Sequence, residues 1–328
     1  MLKPTCWLLA GLLLLPLAAC KRDVSDDASA KVPAPAADPV FLADNAIWRE
    51  ERKQSLLKAD GWTSLVGLHW LELKAHYLGS SPASGIKLAV GPPKLGMVKQ
   101  EDGRVFFTPE SGLALTLNDA PLKGRAEFMS DHDETPGVIG FDDGKGKLSL
   151  IKRGDRFGLR VKHADAPSRL HFTGLDYWPA DAGWKIQGKF VPHPPGKTMP
   201  IVDIIGTTSD APNPGAVEFV RDGKTYRIEA MGEPGGELFL VLADRTSGHG
   251  SYPAGRFMDT PAPDAQGNVV LDFNRAYSPP CAFTSFATCP LPPPENRLDL
   301  AITAGEKTYV HPSTSSAAAS PTATASTP

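Results

Sequence analysis

The sequence predicts a mainly β fold, with two antiparallel β-sandwich or barrel-like domains and one N-terminal helix. Glycine (31) and proline (32) together make nearly a fifth of the 328 residues, which favours many turns and short strands over long helices. Apolar runs of strand length recur through the body, broken roughly every eight to twelve residues by Gly, Pro or Asp-Gly, as in sandwiches and barrels. Only one segment, near residue 50, carries helix signals.

The chain opens "MLKPTCWLLAGLLLLPLAAC". Lys3 precedes an apolar run ending in small residues, so residues 1–19 are expected to be a signal peptide, too short to span a membrane as a helix. Leu17-Ala18-Ala19-Cys20 resembles the bacterial lipobox. The resemblance implies a diacylglyceryl group on the Cys20 thiol and an acylated Cys20 amine. Several chains would anchor firmly, because each buried methylene contributes about 0.8 kcal/mol. The expected location is the cell envelope, with the membrane as partner through that lipid. Lys21 rather than Asp follows the cysteine, which favours the periplasmic face of an outer membrane in a host with two membranes. Residues 20–43, rich in Ala, Pro, Ser and charge, read as a flexible tether, and 312–328 as a disordered tail.

The body divides into an expected N-terminal β domain with its helix (44–166) and a C-terminal β domain (167–311). In "DNAIWREERKQSLLKADGW", Asp44 or Asn45 is expected to cap the helix and Gly61 to stop it. Ile47, Trp48, Leu56 and Leu57 give it a narrow apolar stripe for a sheet. Short strands follow, with hairpin tips at Glu101-Asp102-Gly103-Arg104 and Arg153-Gly154-Asp155-Arg156. Their order resembles that of forkhead-associated modules, which are sandwiches that bind phosphothreonine. Those need an arginine after the first glycine, and here Ser80 follows Gly79. The resemblance therefore implies the sandwich and not the phosphopeptide function. In the second half "AVEFVRDGKTYRIEA" is a hairpin turning at Asp222-Gly223, and "ELFLVLAD" reads as a central strand covered on both faces.

A formal net charge of −3 leaves no basic excess to hold a phosphate backbone, so nucleic acid is not an expected partner. No Gly-rich phosphate loop, nucleophile elbow or metal-ligand spacing is present, and neither a cofactor nor a metal is expected. With Cys6 in the signal peptide and Cys20 lipidated, Cys281 and Cys289 remain as a pair. In an oxidising compartment they are expected to form a disulfide, worth roughly 2–3 kcal/mol. A thiolate nucleophile at Cys281 with His249 as base, or a zinc site on the pair, ranks below that.

"DGWTSLVGLHWL", "DRTSGHGSYPAGRFM" and "DFNRAYSPPCAFTSFATCPLPPPENRLDLAITAGEK" resemble the domain-of-unknown-function 1684 family of bacteria and archaea. Its mark is an Asp-Phe-Asn-Arg-Ala-Tyr-Asn-Pro-Pro-Cys-Ala-Phe-Thr block. The likeness runs from about Trp48 to Tyr309 and implies no assigned activity; with the Cys20 motif, the chain is expected to be a lipoprotein member of the family. Ser278 and His249-Gly250 depart from the family pattern.

The block concentrates side chains with chemistry. Asp272, Asn274, Arg275 and Tyr277 leave the end of a strand, Tyr252 and Arg256 precede them, and Glu295, Asn296 and Arg297 follow the proline run. Converging, they would let arginine clamp an anionic group and let Asp272 or Glu295 act as a base. The alternative is that they hold a long irregular loop whose backbone groups need partners. Two functions follow: binding of a small anionic or polar ligand in an accessory role at the envelope, or a hydrolase using Asp272, Glu295 and Arg275.

Overall fold

Three two-residue turns set the main strand registers. Asp102-Gly103 (φ 49° and 77°) and Asp222-Gly223 (φ 51° and 76°) both have positive φ at both positions, the type I′ turn that matches strand twist. Glu101 therefore pairs with Arg104, and Arg221 with Lys224. Gly154, at φ 57°, starts the third turn and closes Arg153 on Arg156. All three fall where the sequence predicts them. The structure is a computed structural model that describes residues 38–312. The expected signal peptide, Cys20, the tether before Asp38 and the tail beyond 312 lie outside the described residues.

In the first half, a six-stranded antiparallel sheet runs in the order Leu65–Trp70, Arg156–His163, Gly146–Arg153, Val138–Phe141, Thr116–Leu117, Ala120–Pro121. A five-stranded sheet is ordered Ile86–Lys87, Ala75–Gly79, Gly96–Glu101, Arg104–Pro109, Ala126–Glu127, with one parallel pairing, Ala75–Gly79 on Ile86–Lys87. Leu78, Val98 and Phe107 from the second sheet meet Ile139, Leu148 and Leu159 from the first, each at most 1% exposed. Two sheets sharing one apolar core is sandwich packing. The barrel alternative is corrected: no closed barrel forms among the described residues, because the six-stranded sheet ends at Leu65–Trp70 and Ala120–Pro121 and the five-stranded sheet at Ile86–Lys87 and Ala126–Glu127, with no pairing that joins the two ends of either sheet.

In the second half, a four-stranded sheet is ordered Lys224–Ala230, Gly215–Arg221, Lys185–Pro192, Asn268–Asp272. Two separate hairpins join it, Thr198–Val202 with Thr208–Pro212, and Leu238–Leu242 with Arg256–Thr260. Val217, Ile228 and Leu271 of the sheet pack with Leu240 and Leu242 of the second hairpin. The expected central strand, Leu238–Leu242, is buried, but it has one full partner strand. On its other edge only a bridge, Phe239 to Met231, ties it to the end of the neighbouring strand.

Helix α1 spans Pro39–Leu57 and begins five residues before the expected cap. Asp38 accepts from the Val40 amide at 2.9 Å, and Pro39 occupies the first helical position, where a missing N–H costs nothing. Asn45 is buried rather than capping, and Ile47 of the expected stripe is 60% exposed. The apolar burial of α1 is thin, with Phe41 and Leu56 covered; polar contacts seat the rest.

Candidate functional site

Trp48, Glu51, Arg52 and Ser55 stand at i, i+3, i+4 and i+7 on α1 and so share one face. They form one wall of a groove of about 490 Å³. The opposite wall comes from the Leu238–Leu242 and Arg256–Thr260 hairpin, through Phe239, Phe257 and Asp259, with Tyr277 beside it. Trp62 and Pro280 also line it. Strand alternation explains the division of labour: Phe257 and Asp259 face the groove, while Arg256 and Met258 face the core behind.

Arg52 fixes the helix wall. Its Nε donates to Glu306 Oε1 at 2.8 Å and its Nη2 to the Ser278 carbonyl at 2.9 Å. Its guanidinium lies over the Tyr277 ring, 4.6 Å from the centroid. Glu306 has no exposed side-chain surface, and its other oxygen accepts from the Ser278 amide at 2.8 Å. A buried carboxylate needs such partners, and Glu306 has an arginine and a main-chain N–H. One turn earlier, Arg49 donates to the Trp178 carbonyl at 3.0 Å and covers the Tyr177 ring at 4.3 Å. At the helix start Asp44 pairs with Arg275.

The floor is aromatic. Phe239 meets Phe257 edge-to-face at 5.0 Å, and Phe257 meets Tyr277 at 5.9 Å. Reciprocal 2.8 Å main-chain bonds between Phe257 and Tyr277 hold that pair. The Tyr277 hydroxyl donates to Asp259 Oδ2 at 2.8 Å. Burial first, and then the Asp259 charge, pushes the Tyr277 phenol well up, so it stays a donor near neutral pH. Glu51 and Asp259 are exposed carboxylates at the rim, and Arg52 Nη1 makes no hydrogen bond among the described residues.

The residues singled out from the sequence do not assemble into one hollow. Arg256, 1% exposed, pairs with Asp244 at 3.2 Å and donates to the Ile302 and Ala304 carbonyls. Asn274 accepts from the Asp181 amide at 3.0 Å and donates to the Asp181 carbonyl at 2.9 Å. Asn296 accepts from the Glu229 amide at 2.7 Å and donates to the Glu229 and Val241 carbonyls, each at 2.9 Å. Arg256 and Asn274 seal irregular backbone, as the alternative reading expects, while Asn296 ties the strands Lys224–Ala230 and Leu238–Leu242 together. Asp272 caps the turn Phe273–Arg275 through the Asn274 amide at 3.1 Å and lies 3.5 Å from Arg275. Glu295 is exposed on the separate turn Pro294–Asn296, with no ion pair to Asp272 or Arg275 among the described residues. Arg297 is exposed too, and Tyr252 donates to the Cys281 carbonyl at 3.1 Å. Only Tyr277 of the nine reaches the groove. Trp48, Arg52, Asp259 and Glu306 were missed. The Trp48/Glu51/Arg52/Ser55 helical face was the available signal; Glu306 gave none beyond its place in the "AGEK" ending.

Cys281 and Cys289 are free thiols here rather than the expected disulfide. The Cys281 amide, in the middle of a turn, takes the Cys289 sulfur as its acceptor at 3.1 Å.

A second cleft, of about 510 Å³, is walled by prolines beside His193, Lys197 and Asn213. His193 Nε2 lies 2.7 Å from Glu229 Oε2, Asn213 Nδ2 donates to the same oxygen at 3.2 Å, and Arg227 pairs with the other at 3.0 Å. Burial pulls the Glu229 pKa upward, but the His193, Arg227 and Asn213 bonds outweigh it and hold the carboxylate below its ordinary range. Here the carboxylate is spent on internal partners. In the groove under α1, the Glu51 carboxylate and Arg52 Nη1 have no partner among the described residues, which makes the groove the stronger candidate.

The described residues thus define a mainly β protein with an N-terminal helix docked over an aromatic groove. Residues 170–307 match the family model described as "Protein of unknown function (DUF1684)", and the chain belongs to that family. A solution structure of an uncharacterized protein of Haloarcula marismortui is 32% identical over 43% of this chain and 79% of that one, with a TM-score of 0.36. The N-terminal forkhead-associated domain of EssC, a component of the bacterial type VII secretion apparatus, is 12% identical over 30% of this chain and 46% of that one, with a TM-score of 0.24. No curated protein matches the chain.

Proposed function

We propose that this chain is a ligand-binding or accessory protein of the cell envelope, whose groove under α1 takes a small flat-faced ligand carrying hydrogen-bonding groups. One observation carries the reading: rings of Trp48, Trp62, Phe257 and Tyr277 border a hollow of about 490 Å³ that also meets the Glu51 and Asp259 carboxylates and the Arg52 guanidinium. Aromatic surface supplies contact area at low entropy cost, and a few polar atoms fix orientation. The envelope location rests on the apolar run ending Leu17-Ala18-Ala19-Cys20. The hydrolase reading built on Asp272, Glu295 and Arg275 draws no support from the arrangement, since Asp272 caps a turn and Glu295 stands alone.

Thermal-shift and calorimetric titration with a panel of mono- and disaccharides and free aromatic amino acids tests the groove. The expected result is a raised melting temperature with at least one class, abolished by Trp48→Ala or Asp259→Asn while the ligand-free melting temperature holds. No shift with any member, or an equal shift in both variants, overturns the assignment. Fractionation tests the anchor: Cys20→Ser is expected to move the protein from the membrane to the soluble fraction, and an unchanged distribution removes that part of the reading.

A further inference from the structure

Cys281 and Cys289 are adjacent but not equivalent. Cys281 is the middle residue of the turn Pro280–Ala282, is half-buried, and borders an open cavity of about 490 Å³ walled partly by Phe283, Phe286 and His311. Cys289 is 4% exposed and does not line that cavity. The 3.1 Å contact from the Cys281 amide to the Cys289 sulfur puts the second sulfur within reach of the first side chain, which leaves the same residue one bond further on. Tyr252 closes over the pair, its hydroxyl 3.1 Å from the Cys281 carbonyl. Past the turn that ends at Ala282, the chain up to Cys289 holds no strand and no helix, so it can adjust as two sulfurs move from contact to bond.

We propose that this pair performs thiol–disulfide exchange with a low-molecular-weight disulfide admitted by the cavity, Cys281 attacking and Cys289 resolving. The Cys281 thiolate attacks one sulfur of R–S–S–R, forming a Cys281–S–S–R bond and releasing RS⁻, which takes up the proton that Cys281 lost. The Cys289 thiol then gives up its proton and attacks the Cys281 sulfur. A Cys281–Cys289 bond forms, the second RS⁻ leaves, and it is protonated in turn. Two electrons pass from the protein to the small disulfide, and two R–SH are produced. With R–SH in excess the same steps run backwards. The roles match the electrostatics. The Cys289 thiol first, and Tyr252 after it, hold the Cys281 thiol below its ordinary value against the opposing effect of burial. Cys289 is pushed well up by its Cys281 contact and by burial. An accessible acidic thiol above a buried, weakly acidic one is the asymmetry that sequential attack and resolution require.

The test uses the full chain carrying Cys6→Ser and Cys20→Ser, which removes the other two of its four cysteines and serves as the wild-type reference, reduced and freed of reductant, with 5,5′-dithiobis(2-nitrobenzoate) as the small disulfide. Wild type is expected to release two equivalents of the coloured thiol and end as an internal disulfide without retained label. Cys289→Ser should release one equivalent and keep the other half as a mixed disulfide, which wild type does not retain. Cys281→Ser should react at least tenfold more slowly, because the remaining thiol is buried and high in pKa. Native wild type incubated with mixtures of reduced and oxidised glutathione should interconvert between dithiol and disulfide. Equal rates at the two thiols, release only after unfolding, or a pair locked in one state across every glutathione ratio would overturn the proposal. The glutathione measurement needs no variant at Cys281 or Cys289, so a variant that fails to fold does not shield it.

Discussion

Between Leu65 and His163 the core is apolar, and ion pairs such as Arg104–Glu127 and Arg125–Glu101 stay at the surface. Between Trp184 and Tyr309 the interior also holds Arg256, Asp244, Glu306, Asn274 and Asn296, each under a tenth exposed. The difference follows from where backbone groups find partners. In the first half, strands of up to eight residues pair in continuous ladders, which satisfy the main chain and leave the core free for hydrocarbon. In the second half, the stretches around residues 243–255 and 273–311 hold no strand, and carbonyls there, such as those of Ile302 and Ala304, turn to side chains. One half is ordered by register and the other by polar clamps, and the two should fail in different ways.

The clamp at Arg256 should give the largest effect. Arg256→Met leaves Asp244 charged and buried with its guanidinium removed, an expected loss of about 3–5 kcal/mol read from urea denaturation. Pairing it with Asp244→Leu should return part of that loss. Equal losses in single and double variants would show that the carbonyl contacts, not the charge pair, hold the loop. The matched experiment in the first half is Leu148→Ala, where a fully buried side chain leaves a cavity and about 3 kcal/mol is expected to go. Asn296→Ala follows at about 2 kcal/mol, since it strands the Glu229 amide and the Glu229 and Val241 carbonyls. If Asn296→Ala matches a surface substitution, water replaces the clamp and the contrast between halves is weaker than drawn.

The smallest effect is one of pH. The folded-state pKa of Glu229 is depressed, so its contribution is present above the ordinary carboxylate pKa and is lost as pH falls through the folded value. Melting temperature from pH 6 down to pH 3 should therefore fall more steeply in wild type than in Glu229→Gln. Parallel curves would mean that His193, Arg227 and Asn213 do not favour the ionised form.

The same contrast governs what the sequence disclosed. Asp102-Gly103, Gly154-Asp155 and Asp222-Gly223 announce their turns because few residues accept positive φ, and the ladders follow from local spacing. The start of α1 was hidden because Pro39 sits among tether-like residues, although proline suits a first helical position. Arg256 was read as a ligand clamp because its partners, Asp244 and two carbonyls near residue 303, are brought to it only by the fold. The groove was illegible for the same reason: its helix face and its hairpin face are far apart in the chain, and neither shows chemistry alone. Tyr277 was found because it sits inside the distinctive block.

Arg52 and Glu306 lie 254 residues apart, and α1 takes its seat through that pair. A ribosome delivers the helix 254 residues before the glutamate that seats it. The first sandwich can be complete while α1 still waits, with a marginal 19-residue helix exposed to whatever is nearby. Closure of the groove is thus a late event in the life of each molecule, and a chain stopped short of Glu306 would carry an unseated helix and no finished site.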